Sequence, residues 1–102
     1  MTSGVIGINA EQKLVSDNIV DQTDRCLRTF KEMIEEMGGT LDDYVKVGIY
    51  LTDLNNFKAV NEVYSKYFTK NYPSRTCMQV VRLPLDSLIE MEATACLKKK
   101  NN

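Results

Sequence analysis

The 102 residues contain no histidine, only two prolines and three cysteines, no surplus of positive charge, and no long apolar run. Each absence excludes something. Without histidine there is no imidazole for the acid–base cleavage of RNA, and no nitrogen ligand to complete a zinc set. Cys26, Cys77 and Cys96 are widely spaced and odd in number, with no CxxC among them. They read as free thiols of a reducing compartment. A formal net charge of −1 and a pI near 5.4 supply no field to gather nucleic acid or an anionic membrane surface. No stretch approaches the ~20 apolar residues of a membrane span, and the N-terminus lacks a basic-then-apolar leader. A cytoplasmic protein is expected. There are no repeats, low-complexity segments or linkers, so residues 1–102, at 43% apolar content, form a single domain with a modest core.

Thr2 to Ile8 is a short β-type run broken by Gly4 and Gly7, where glycine marks either close approach of another backbone or a loosely formed edge. Asn9 to Asn18 reads as a loop. Ile19, Thr23, Cys26, Leu27, Phe30, Met33, Ile34 and Met37 then recur at helical spacing, with Ser16 or Asp17 as the cap and Gly38-Gly39 as the stop. Val45, Val47, Ile49 and Leu51 alternate with Lys46, Gly48, Tyr50 and Thr52 in the clearest strand of the chain. Asp53 or Asn55 caps a second helix with Phe57, Val60, Val63, Tyr64, Tyr67 and Phe68 on its apolar face; Asn71-Tyr72-Pro73 ends it. Lys98 to Asn102 is a solvated tail.

From Pro73 to Glu92 two further β-type runs flank a turn at Pro84 and Asp86-Ser87. Alternation puts Arg75, Cys77, Gln79 and Val81 on one face of the first run; in the second, Ile89, Met91 and Ala93 oppose Glu90 and Glu92. Arg75 and Glu90 therefore sit within strands, where a charge is costly unless paired, hydrated in a pocket or awaiting a ligand. The order strand, helix, strand, helix, strand, strand implies right-handed crossovers, parallel pairing where the first three strands adjoin, and both helices on one sheet face. The other face is left uncovered, and self-association is its natural cover.

Thr2-Ser3-Gly4, Leu51-Thr52-Asp53-Leu54, Asn61, Tyr64, Pro73-Ser74-Arg75, Arg82-Leu83-Pro84 and Ile89-Glu90-Met91-Glu92-Ala93 together resemble the reactive-intermediate deaminase family (Rid, YjgF or liver perchloric-acid-soluble protein type). The resemblance runs the length of the chain; Thr76 and Val81 depart mildly from it. It implies an α+β fold like the Bacillus-type chorismate mutase, with sheet order 1-4-2-3 and two helices on one face. It further implies a homotrimer with clefts between subunits, and hydrolysis of small enamines and imines such as 2-iminopropanoate and 2-iminobutanoate to 2-keto acids and ammonia, with no metal or organic cofactor. Family chains carry a further N-terminal segment with a cleft tyrosine. Either this chain starts at an internal methionine, which leaves a mitochondrial address open, or it is a short form with an incomplete pocket.

The residues suit that chemistry. A 2-imino acid has a carboxylate beside an electrophilic C=N carbon; Arg75 can grip the carboxylate through two parallel charge-assisted hydrogen bonds in a buried intersubunit groove, and Glu90 can position and activate the water. By the resemblance, Cys77, Ser3, Gly4 and Asn61 line the same cleft. Bland alternatives stand beside each: an interface ion pair for Arg75, pairing of Glu90 with Lys46 or Arg82, packing for Cys77, a local bond for Asn61, and a structural role for Glu92. At the level of function, the alternatives are an endoribonuclease or translation inhibitor, and a non-catalytic small-carboxylate-binding or proteostasis protein.

Overall fold

A computed structural model describes residues 2–70 and 72–97, without the side chains of Thr2 and Ser3. The expectation for the lysine tail lies outside those residues, as does Asn71. The elements are β1 (Thr2–Ile6), α1 (Ile19–Glu36), β2 (Tyr44–Leu51), α2 (Phe57–Tyr67), β3 (Ser74–Gln79) and β4 (Ile89–Ala95), with single 3₁₀ turns at Leu41–Asp43, Leu54–Asn56 and Pro84–Asp86.

The strands form one mixed sheet in the order β1-β4-β2-β3. β2 and β3, joined by a helical crossover, run parallel, whereas β4 inserts between β1 and β2 and is antiparallel to both. Val47, Ile49 and Leu51 from β2 and Ile89, Met91 and Ala93 from β4 are buried in one cluster with Cys26, Leu27, Phe30 and Ile34 of α1 and Val60, Val63 and Tyr64 of α2. Period-2 and period-3.6 apolar patterns meet there, so both helices cover the same sheet face.

Several local expectations are corrected. The cap of α1 is Asn18, whose Oδ1 accepts from the amides of Val20 (2.7 Å) and Asp21 (3.3 Å). Ser16 instead accepts from the Asn18 amide and donates to Asp21, so the hydroxyl braces the cap. Val45 is half exposed rather than facing the helices, because the register shifts between Tyr44 and Lys46; Tyr44 takes the buried position and donates to the carbonyl of Phe30 at 2.8 Å. The first late run ends at Gln79, and Val81 is fully exposed in the connection. There Asp86 chelates Arg82 at 2.6 and 3.2 Å while Leu85 and Asp86 hold left-handed φ of 56° and 54°. Met37 is exposed at the helix end, where Gly38, at φ 81°, turns the chain away.

Gln22 is a buried polar residue within the apolar stripe: its amide donates to the carbonyl of Ser16 (2.8 Å) and its carbonyl accepts from the amide of Leu88 (2.8 Å). It ties the loop before α1 to the entry of β4. Gly7 permits that approach, since a Cβ there would lie 2.7 Å from the Cα of Gln22 and 2.8 Å from its carbonyl oxygen. Both obstructing atoms are backbone. Gly7→Ala is expected to destabilise the fold by about 1–3 kcal/mol, read as a lowered urea midpoint with an unchanged slope; an unshifted midpoint refutes the packing account.

Candidate active site

Among the described residues β3 is an edge strand, paired only with β2, and this decides the setting of Arg75. Contrary to the buried guanidinium expected from sequence, Arg75 is exposed in the single chain, because no strand or helix of the described residues closes over the outer side of β3. Opposite Val47 in the register, it projects toward the helix side and reaches the flank of α2. Its Nη1 donates to Asn61 Oδ1 at 2.6 Å, and the guanidinium carbon lies 4.7 Å from the ring centroid of Tyr64 and 5.3 Å from that of Phe57. Phe57, Asn61 and Tyr64 come together because residues four and three apart share a helix face. Sequence reading placed both rings in the core; their helical spacing to Asn61 was the available signal for a second role.

The charge on Arg75 is not matched by an acid. Of the four arginines, Arg25 pairs with Glu32, Arg28 with Asp24 and Arg82 with Asp86. Among the described residues, Arg75 has no carboxylate within 4.0 Å, and its one hydrogen bond is to a neutral amide. A guanidinium carries five N–H donors, so most of its capacity is open. Beside it is a hollow of about 300 Å³ lined by Asn61, Tyr64, Ser65, Tyr72, Pro73 and Arg75. A cation with free, forked donors facing a part-aromatic hollow is suited to an organic carboxylate.

Cys77 follows Arg75 on the same side of β3, half buried against the core, and desolvation pushes its thiol up while the Arg75 charge opposes that. A raised thiol is a poor nucleophile. Cys26 is wholly buried and pushed up to about 12, mainly by desolvation, so it too is inert at neutral pH.

Glu90 belongs to a different group. It pairs with Tyr50 and Ile6 across the sheet, and its neighbours Ile89 and Met91 face the helices, so its carboxylate is on the uncovered face. A Cβ on Gly4 would lie 3.0 Å from Glu90 Oε2, which brings those two predicted residues together. The side chain of Ser3 lies outside the described residues. Glu92, on the same face, accepts from the Tyr50 hydroxyl at 2.6 Å; that bond, followed by partial burial, raises the tyrosine pKa. Arg82 is engaged by Asp86, and among the described residues no ion pair forms at Glu90.

The predicted residues thus fall into two clusters, Arg75–Asn61–Cys77 and Glu90–Gly4, on opposite faces of one sheet. Arg75 and Glu90 are separated by two strand spacings, about 10 Å, and by three residues along the strands, about 10 Å more. One protomer cannot direct both at a single small molecule.

A family model described as Endoribonuclease L-PSP matches residues 1–97. A RutC family protein of Pyrococcus abyssi is 48% identical over 94 residues, covering 91% of this chain and 74% of that one. A chloroplastic Reactive Intermediate Deaminase A of Arabidopsis thaliana is 43% identical over 96 residues, 93% of this chain and 51% of its own length. Among solved structures, that of Escherichia coli TdcF with bound serine superimposes with a TM-score of 0.86 at 34% identity, covering 94% of this chain and 78% of TdcF.

Proposed function

The chain belongs to the L-PSP family, which includes RutC and reactive-intermediate deaminase proteins, and on that premise we propose that it hydrolyses small 2-imino acids to 2-keto acids and ammonia. The observation that carries the proposal is the acid-free Arg75 guanidinium, braced by Asn61 and two rings beside an open hollow. Arg75 binds the substrate carboxylate and so fixes the neighbouring C=N carbon. Water adds to that carbon as Glu90 takes one of its protons and passes it to the imine nitrogen, giving a tetrahedral carbinolamine; the C–N bond then breaks as the carbinolamine hydroxyl gives its proton through Glu90 to the departing nitrogen, leaving the keto acid and ammonia.

Because Arg75 and Glu90 face opposite ways in one protomer, the reacting pair comes from two copies of the chain. The uncovered face, with Tyr50, Glu90, Glu92 and the half-exposed Met78, is the surface through which copies assemble, as a homotrimer with three intersubunit clefts. Asn61 and Cys77 then line the Arg75 side of each cleft, and Ser3 and Gly4 the Glu90 side.

Adding the protein to an amino-acid dehydratase reaction is expected to speed release of ammonia and keto acid over the uncatalysed rate, with a sedimentation mass of three chains. No acceleration refutes the deaminase, and a monomeric active protein refutes the shared site. The endoribonuclease reading has the family description in its favour. RNA cleavage that co-purifies with this chain and is lost with Arg75 would replace the present proposal.

A further inference from the structure

The hollow beside Arg75 is lined in part by residues the proposed chemistry does not use. At about 300 Å³ it leaves room beside a carboxylate held at Arg75 for a side chain larger than a methyl group. Asn61, Ser65 and Arg75 are its polar lining, and Tyr64, Tyr72 and Pro73 supply the rest. Tyr72 is 71% exposed, a large aromatic surface left in water. Pro73 is buried, and a residue preceding proline is restricted to extended backbone, so the Tyr72 ring is carried at the rim by a stiff dipeptide. Such a ring, separated from Arg75 by Pro73 and Ser74 alone, presents an apolar face to whatever extends from a carboxylate held at Arg75.

We propose that Tyr72 is a specificity-determining residue, and that Tyr72 and Pro73 form a subsite for the substrate's side chain. Among the 2-imino acids the site hydrolyses, those bearing an aromatic or large apolar side chain are then bound more tightly than the smallest ones. This rests on Arg75 gripping the carboxylate, as proposed above. Stacking on an exposed ring and removal of both apolar faces from water provide the discrimination; an alanine-sized substrate reaches neither.

The probes are two stable keto acids, pyruvate and phenylpyruvate, titrated calorimetrically into the intact protein. Phenylpyruvate is expected to bind about tenfold more tightly than pyruvate. Tyr72→Ser brings the two within about twofold of each other, Tyr72→Phe restores the preference, and Arg75→Ala loses both ligands. Tyr72 is largely exposed, so neither of its substitutions disturbs the core. Equal affinities in the wild type, or a preference that survives Tyr72→Ser, overturns the subsite. Its failure is separable from that of the deaminase: preferential phenylpyruvate binding with no imine hydrolysis removes the reaction and keeps the subsite, and hydrolysis with no preference does the reverse.

Discussion

Arg75→Ala is expected to lower kcat/KM for imine hydrolysis by about 10²–10⁴-fold. Two charge-assisted hydrogen bonds to a carboxylate are worth roughly 1.5–3 kcal/mol each, and every 1.36 kcal/mol lost from the transition state is about tenfold in rate. Arg75→Lys keeps the charge but loses the planar fork, so it recovers only part of the rate. The fold is little affected, because Arg75 is exposed and its stacking on Phe57 and Tyr64 contributes only about 0.5–1 kcal/mol. Steady-state kinetics beside a thermal melt therefore separates the two effects. Full activity in Arg75→Ala would remove the carboxylate grip, and with it the case for this site.

Glu90→Gln is the second large effect, a fall of about 10²–10⁴-fold in kcat with KM close to wild type. The amide keeps the shape of the carboxylate in the space beside Gly4 but cannot take a proton from water. Mixing Arg75→Ala protomers with Glu90→Gln protomers provides the sharper measurement. Where each site draws Arg75 from one copy and Glu90 from the next, mixed assemblies contain some intact sites, and activity returns from two inactive parents. No recovery in verified mixed assemblies would place both groups in one protomer, against the opposed faces seen here.

Much of this arrangement was legible in the residues because burial and strand alternation are local rules. Val47, Ile49 and Leu51 alternate with polar neighbours and are buried; Val60, Val63 and Tyr64 recur at helical spacing and are buried too. The failures came instead from contacts between segments distant in the chain. Val45 fits the alternation but sits at a register shift, and the shift depends on how β4 pairs with β2, which no window of β2 contains. Gln22 is a polar residue inside an apolar stripe, and only the approach of Leu88, 66 residues later, explains its burial.

Periodicity and the cost of an unmatched charge act residue by residue, so the element order, the two helix stripes, the inward rows of β2 and β4, and Arg75 and Glu90 as charges requiring explanation could all be read along the chain. Packing between distant segments set the rest: it made β3 an edge, which leaves Arg75 in solvent with Asn61, Phe57 and Tyr64 as its supports. It likewise decided that Glu90 looks out of the opposite face, since a side chain's face is set by strand register, and register is fixed by pairing between segments far apart in the chain.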